Sequence, residues 1–180
     1  VEMYQETGDA CHAEVARQTL DYLLNEMRDS LGGFYSTEDA DSEGEEGKFY
    51  VWSPNEIVEC LGPETGERFC RAYRVTETGN FEGRNILNLS QPLNAVAETL
   101  GLDKADFLQE MASAREKLLQ VRSQRIRPGL DDKILVSWNA LAISALARAS
   151  LVLEKSVGDS YLVAGQEAAR FLLDHLVDER

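Results

Sequence analysis

Residues 131–154 read DDKILVSWNALAISALARASLVLE, and this stretch decides the fold class. Between Ile134 and Leu153 the one charged side chain is Arg148, and no Gly or Pro breaks the run. The pattern predicts a helix reaching about Glu154, with Asp131 or Asp132 as its N-cap. A helix apolar nearly all round is expected to be buried on most sides. Ser137, Asn139, Ser144, Arg148 and Ser150 separate it from a membrane span of roughly 20 apolar residues.

The flanking segments are helical too. Asp9 is the expected cap of a helix to about Arg28, with Ala16, Leu20, Leu23 and Met27 on one face. His12 extends that face, and Gly32-Gly33 ends the segment. Ser53-Pro54-Asn55-Glu56 spells a capping box, opening a helix that closes near Gly62. Further helices are expected over 64–73, 92–100 and from Asp103 onward, the last with Phe107, Met111, Ala114, Leu118 and Val121 on one face. Asp159 is read as opening a final helix, with Tyr161, Ala164, Ala168 and Phe171 or Leu172 inward and His175 prolonging the stripe. Residues 33–36 and 48–52, rich in Phe, Tyr, Val and Trp, are expected to be the two strands of a small antiparallel β-hairpin. Helix pairs without βαβ alternation give a mainly α class, and helices of such unequal polarity suggest two concentric layers.

Composition narrows the function. The 180 residues carry 18 Lys plus Arg against 32 Asp plus Glu, a net charge of −14. Such a surface repels nucleic acid and anionic membranes, and neither is an expected partner. Cys11, Cys60 and Cys70 form no CxxC pair, so buried free thiols in a reducing, cytoplasmic compartment are expected, without a metal site. There is no phosphate loop, GxSxG or HExxH, and no cofactor is expected. Val1 and Arg180 both read as cut ends of a longer protein.

Two segments could carry chemistry. The first is the acidic loop Glu38-Asp39-Ala40-Asp41-Ser42-Glu43-Gly44-Glu45-Glu46-Gly47. It begins like a calcium loop, but Tyr50 stands where an EF-hand places its bidentate Glu, which leaves a non-EF calcium loop as an alternative. Asp39 and Asp41, on a rigid hairpin base, could serve as acid and base on a sugar, with Glu38 binding nearby. Glu43, Glu45 and Glu46 are read as a solvated tip. The bland alternative is a turn whose acids bond backbone amides. The second segment is 125–139. There Arg127, Asp132 and Lys133 could hold a polar substrate, Trp138 could offer a platform for a sugar ring, and Asn139 could hydrogen-bond it. Its alternative is structural, with aspartate capping and arginines satisfying carboxylates or carbonyls.

Three motifs taken together resemble a known family: Gly32-Gly33-Phe34-Tyr35-Ser36 running through the acidic loop to Trp52, then Gly79-Asn80-Phe81-Glu82-Gly83 with Asn85-Ile86-Leu87, then Asp131-Asp132-Lys133-Ile134-Leu135 with Trp138-Asn139. In this order they resemble the YyaL-type family, which includes spermatogenesis-associated protein 20. The resemblance implies a thioredoxin-like domain elsewhere in the full-length protein. It also implies an (α/α)6 toroid similar to N-acylglucosamine 2-epimerases and six-hairpin glycosidases. Residues 1–180 would be about half of that single toroid domain. The implied function is carbohydrate-active, epimerase-like or glycosidase-like, with a sugar or glycan ligand. The alternative is a non-catalytic helical interaction module working with the thioredoxin-like domain. Self-association through the cut edges is also expected. Family members often have Trp-Asn-Gly where this chain has Trp138-Asn139-Ala140.

Overall fold

The computed structural model describes residues 1–177. Eight helices dominate these residues: α1 (Glu2–Thr7), α2 (Ala10–Glu26), α3 (Pro54–Leu61), α4 (Pro63–Ala72), α5 (Leu93–Leu100), α6 (Lys104–Arg122), α7 (Val136–Val152) and α8 (Lys155–His175). Four two-residue strands complete them: β1 (Thr37–Glu38), β2 (Asp41–Ser42), β3 (Glu45–Glu46) and β4 (Leu130–Asp131). The chain is mainly α, and it divides into two compact units, residues 1–38 with 130–180 and residues 39–129.

In the first unit α7 and α8 form a helical hairpin. Tyr161, Ala164 and Ala168 of α8 pack on Leu146 and Ala149 of α7, with Leu20 of α2 and Phe34 beside them. Burying each large apolar side chain there is worth about 1.5–3 kcal/mol. The Tyr161 hydroxyl reaches into this core to donate to Asp21 Oδ1 at 2.7 Å. Its burial, and then that bond, push the phenol pKa well up, so it stays a donor. Strands β1 and β4 pair antiparallel, Thr37 opposite Asp131 and Glu38 opposite Leu130.

The second unit is built on α3, α4, α5 and α6. Ile57, Phe69, Val96, Ala97, Phe107 and Met111 are at its center. The capping box forms as expected: the Glu56 backbone N–H donates to Ser53 Oγ at 3.3 Å, and the Ser53 backbone N–H donates to Glu56 Oε2 at 2.7 Å. Most of the α6 face forms as well, with Phe107, Met111, Ala114 and Leu118 buried, whereas Val121 near the end of the helix is exposed. Strands β2 and β3 make a hairpin inside the acidic loop, Asp41 opposite Glu46.

Several expectations are corrected. Residues 33–36 and 48–52 do not pair, because other backbone segments and two side chains take their backbone groups. Asn139 binds both the N–H and the C=O of Phe34, at 2.7 and 2.9 Å. Arg125 donates to the carbonyls of Phe49 and Val51, at 3.0 and 2.8 Å. Neither Asp131 nor Asp132 caps α7, whose N-cap is Leu135, without a side-chain bond. Asp131 is in β4 and accepts instead from Lys133. Helix α8 begins at Lys155, so Asp159 lies inside it. Helix α7 is more open than expected: Leu141 is 71% exposed and Leu151 is 83% exposed. Cys11 is exposed, and Cys60 and Cys70 are half-buried rather than buried. No helix among the described residues is long and apolar enough to cross a membrane.

Candidate functional site

The second unit carries a broad concavity. It is a cleft of about 830 Å³, bounded by the β2–β3 hairpin, the start of α3, the loop around Arg84 and the segment after α6. Its residues include Glu43, Glu45, Glu46, Lys48, Phe49, Glu56, Phe81, Glu82, Arg84 and Arg125.

Each wall follows from local sequence. Gly44 takes a φ of 78° at the hairpin tip, a left-handed conformation that glycine adopts without strain. The Ser42 hydroxyl donates to the Ile126 carbonyl at 2.5 Å and fastens the hairpin at its base. Lys48 lies 3.5 Å from Glu43 and 3.0 Å from Glu45, so part of the acidic charge is neutralised within the loop. On the facing wall, Asn80 and Asn85 shape the loop from inside. The Asn80 carboxamide bonds the N–H and C=O of Ile86. The buried Asn85 side chain accepts from Thr76 N–H and donates to the Trp52 and Thr76 carbonyls. Gly79 is required here, since a Cβ would lie 2.3 Å from the Arg84 carbonyl oxygen.

The floor is electrostatic. Arg84 reaches both Glu56 oxygens, at 2.8 and 2.7 Å, and Arg125 lies 3.8 Å from the same carboxylate. Burial alone would raise the Glu56 pKa. The Ser53 amide and hydroxyl and the two guanidiniums outweigh it and hold the carboxyl below its usual range. Burial draws the Arg125 pKa down, partly offset by Glu56. The Arg125 guanidinium stacks on Trp52 at 4.0 Å, so cation–π attraction helps fix it. Two residues of the cleft, Glu43 and Glu82, hold positive φ of 55° and 47°, where a non-glycine residue is strained by roughly 1–3 kcal/mol.

The eight residues singled out from sequence are distributed otherwise, and none of them lines this cleft. Asp39 is exposed; its N–H donates to the Gly129 carbonyl at 2.7 Å and its Oδ1 accepts from Asp41 N–H at 3.3 Å. Asp41 is exposed in β2. Arg127 is exposed and lies over Phe49 at 5.4 Å. In the first unit, Glu38 accepts from the Tyr22 hydroxyl at 3.3 Å, and Asp132 is exposed. Lys133 pairs with Asp131 at 2.6 Å, and Trp138 is 53% exposed. Asn139 is 1% exposed and its carboxamide is committed to Phe34 and Leu135, so it holds the fold rather than a ligand. His12 is half-buried, and the exposed His175 packs on Phe171 at 4.8 Å. No cluster of three or more His, Cys, Asp or Glu suited to a metal ion occurs among the described residues.

Sequence reasoning assigned the hairpin tip to solvent, and Glu43, Glu45 and Glu46 are exposed there, while also bordering the cleft. It gave Phe81, Glu82 and Arg84 no role, although the positive-φ signature Gly79-Asn80-Phe81-Glu82-Gly83 marked an ordered loop.

No family model matches the chain. It is 33% identical to spermatogenesis-associated protein 20 of Homo sapiens and 32% identical to that of Mus musculus, each over 97% of its own length. It is 29% identical over 82% of its length to an uncharacterized protein, B0495.5, of Caenorhabditis elegans. The chain spans about a quarter of the length of these relatives: 25% of the two mammalian proteins and 23% of the nematode one. Over nearly all of its own length, the chain is thus similar to a quarter-length stretch of spermatogenesis-associated protein 20.

Proposed function

We propose that the second unit carries a carbohydrate-binding cleft, within a helical-hairpin scaffold of the (α/α) toroid kind. The observation that carries this reading is the meeting of an aromatic ring with paired charges in one cleft of about 830 Å³, a volume usual for ligand sites. A sugar offers an apolar C–H face and a ring of hydroxyls. The half-buried Phe81 suits the first. Glu43, Glu82 and Arg84 suit the second, as carboxylate acceptors and guanidinium donors. The strained backbone of Glu43 and Glu82 agrees with this, because such strain gathers at binding sites. Asp39 and Asp41 stand at the foot of the hairpin outside the lining of the cleft, so acid–base work by them in an epimerase-like or glycosidase-like reaction requires a substrate that extends past the cleft toward the hairpin's foot. The thioredoxin-like domain that the family resemblance implies would act beside this scaffold, in the cytoplasm.

A second reading, a non-catalytic interaction module, is favoured by the solvent exposure of Asp39 and Asp41 and by the open apolar face of α7. In it, a second copy or another segment of a longer protein covers Leu141 and Leu151.

Titration of a panel of mono- and oligosaccharides against the chain tests the first reading, with thermal unfolding as a control. The expected result is saturable binding of at least one sugar, weakened about tenfold or more by Glu82→Gln and Arg84→Gln without a matching stability loss. Loss of turnover in Asp39→Asn or Asp41→Asn with binding kept would assign those two to catalysis. If no sugar binds, the carbohydrate reading fails.

A further inference from the structure

The cleft of the second unit is charged as well as concave, and its charges do not balance. Five carboxylates line it, Glu43, Glu45, Glu46, Glu56 and Glu82, against three cations, Lys48, Arg84 and Arg125, which leaves a net charge of −2. All three cations are engaged. Lys48 pairs with Glu43 and Glu45. Arg84 bonds both oxygens of Glu56. Arg125 donates to the Phe49 and Val51 carbonyls and stacks on Trp52. An anionic ligand would have to compete with a carboxylate for Lys48 or Arg84.

Glu46 and Glu82 have no cation within ion-pair distance among the described residues. They flank a single contact between the two walls. Gly47 meets the Phe81 ring so closely that a Cβ there would lie 3.0 Å from it. Glu46 precedes Gly47 in the chain and Glu82 follows Phe81. The half-buried Phe81 ring therefore has a neighbour on each wall that carries an uncompensated carboxylate. An aromatic ring beside carboxylates is the chemistry that recognises an ammonium group. The net charge of −14 acts with the same sign, and a cleft concentrates such a field.

We propose that the cleft selects a cationic sugar, one bearing a free amino group, over neutral and anionic sugars. Its ammonium meets Glu46 and Glu82 beside Phe81, and its hydroxyls reach Arg84. Acylation of the amine removes the charge and with it the preference. The proposal rests on the carbohydrate reading of the cleft and goes beyond it in fixing the charge of the ligand.

The experiment titrates the chain with glucosamine, N-acetylglucosamine, glucose and glucuronate, and with cyclohexylamine as an amine without hydroxyls, following backbone amide NMR shifts. A pH of about 6 keeps the amine protonated. Because both carboxylates are exposed, glucosamine should bind about fivefold tighter than glucose and N-acetylglucosamine at low salt, with the margin shrinking as salt rises. Glucuronate should bind more weakly than glucose. Glu46→Gln should bring the glucosamine-to-glucose affinity ratio down to about twofold or less, with thermal unfolding unchanged. Equal affinity for glucosamine and glucose, an unchanged ratio in Glu46→Gln, or cyclohexylamine bound as tightly as glucosamine would each overturn the proposal. Equal affinity for the amino and neutral sugars leaves the carbohydrate reading standing, whereas no saturable shift with any sugar overturns both.

Discussion

Replacing Asn139 with alanine should destabilise the first unit by about 3 kcal/mol. Its side chain is 1% exposed and makes three hydrogen bonds: it accepts from Phe34 N–H at 2.7 Å, and donates to Phe34 C=O at 2.9 Å and Leu135 C=O at 3.0 Å. Each bond contributes roughly 0.5–1.5 kcal/mol net, and a buried group left without a partner costs about 1–3 kcal/mol. The α7 carbonyl at Leu135 keeps its helical partner, the Asn139 N–H at 3.0 Å. The penalty therefore falls mainly on Phe34, which is 4% exposed. Alanine's better helix propensity returns about 0.6 kcal/mol at most. Urea denaturation read by near-ultraviolet circular dichroism measures the total, and amide exchange at Phe34 localises it. A loss under about 1 kcal/mol, with Phe34 protection kept, would refute the assignment of Asn139 to the fold.

Three further outcomes follow from the packing and charge. Glu56→Gln should flatten the acid limb of stability in the second unit: the folded carboxyl lies below the ordinary glutamate range, so its contribution is present above that range and lost as pH falls through the lower folded value; equal acid midpoints in urea melts at several pH values would contradict this. Gly66→Ala should cost about 1–3 kcal/mol despite better helix propensity, since the new methyl would lie 2.8 Å from Val58 Cα where α4 packs on α3; a stabilised variant in urea would refute that contact. Leu151→Lys, at a position 83% exposed, should change stability by no more than about 0.5 kcal/mol while reducing any self-association seen by sedimentation; a large stability loss would mean that this face is buried.

Local signals in the sequence carried most of the helices. Ser53 and Glu56 sit three apart and need no distant partner to form a capping box, and Asp9 and Asp103 cap their own helices in the same way. The inward face of α6 follows from helical spacing alone. The strands misled because their signal was composition. Phe34, Phe49 and Val51 are β-formers, but Asn139 and Arg125 occupy the groups a ladder would need, from about 105 and 75 residues away. The open face of α7 was hidden for a related reason: apolar residues all round announce burial without naming the partner that provides it. In the acidic loop the spacing of carboxylates was visible, but not which of them face inward. The Ser42–Ile126 bond and the Lys48 pairs decide which of them border the cleft: Glu43 and Glu45 do and Asp41 does not, although all three are exposed.

Amide shift mapping of the second unit during saccharide titration tests the central claim most directly. The account predicts saturable shifts gathered on 43–49 and 81–84, where the acidic hairpin meets Phe81, Glu82 and Arg84. Saturable shifts that avoid both segments, or no shifts with any sugar of the panel, would contradict it.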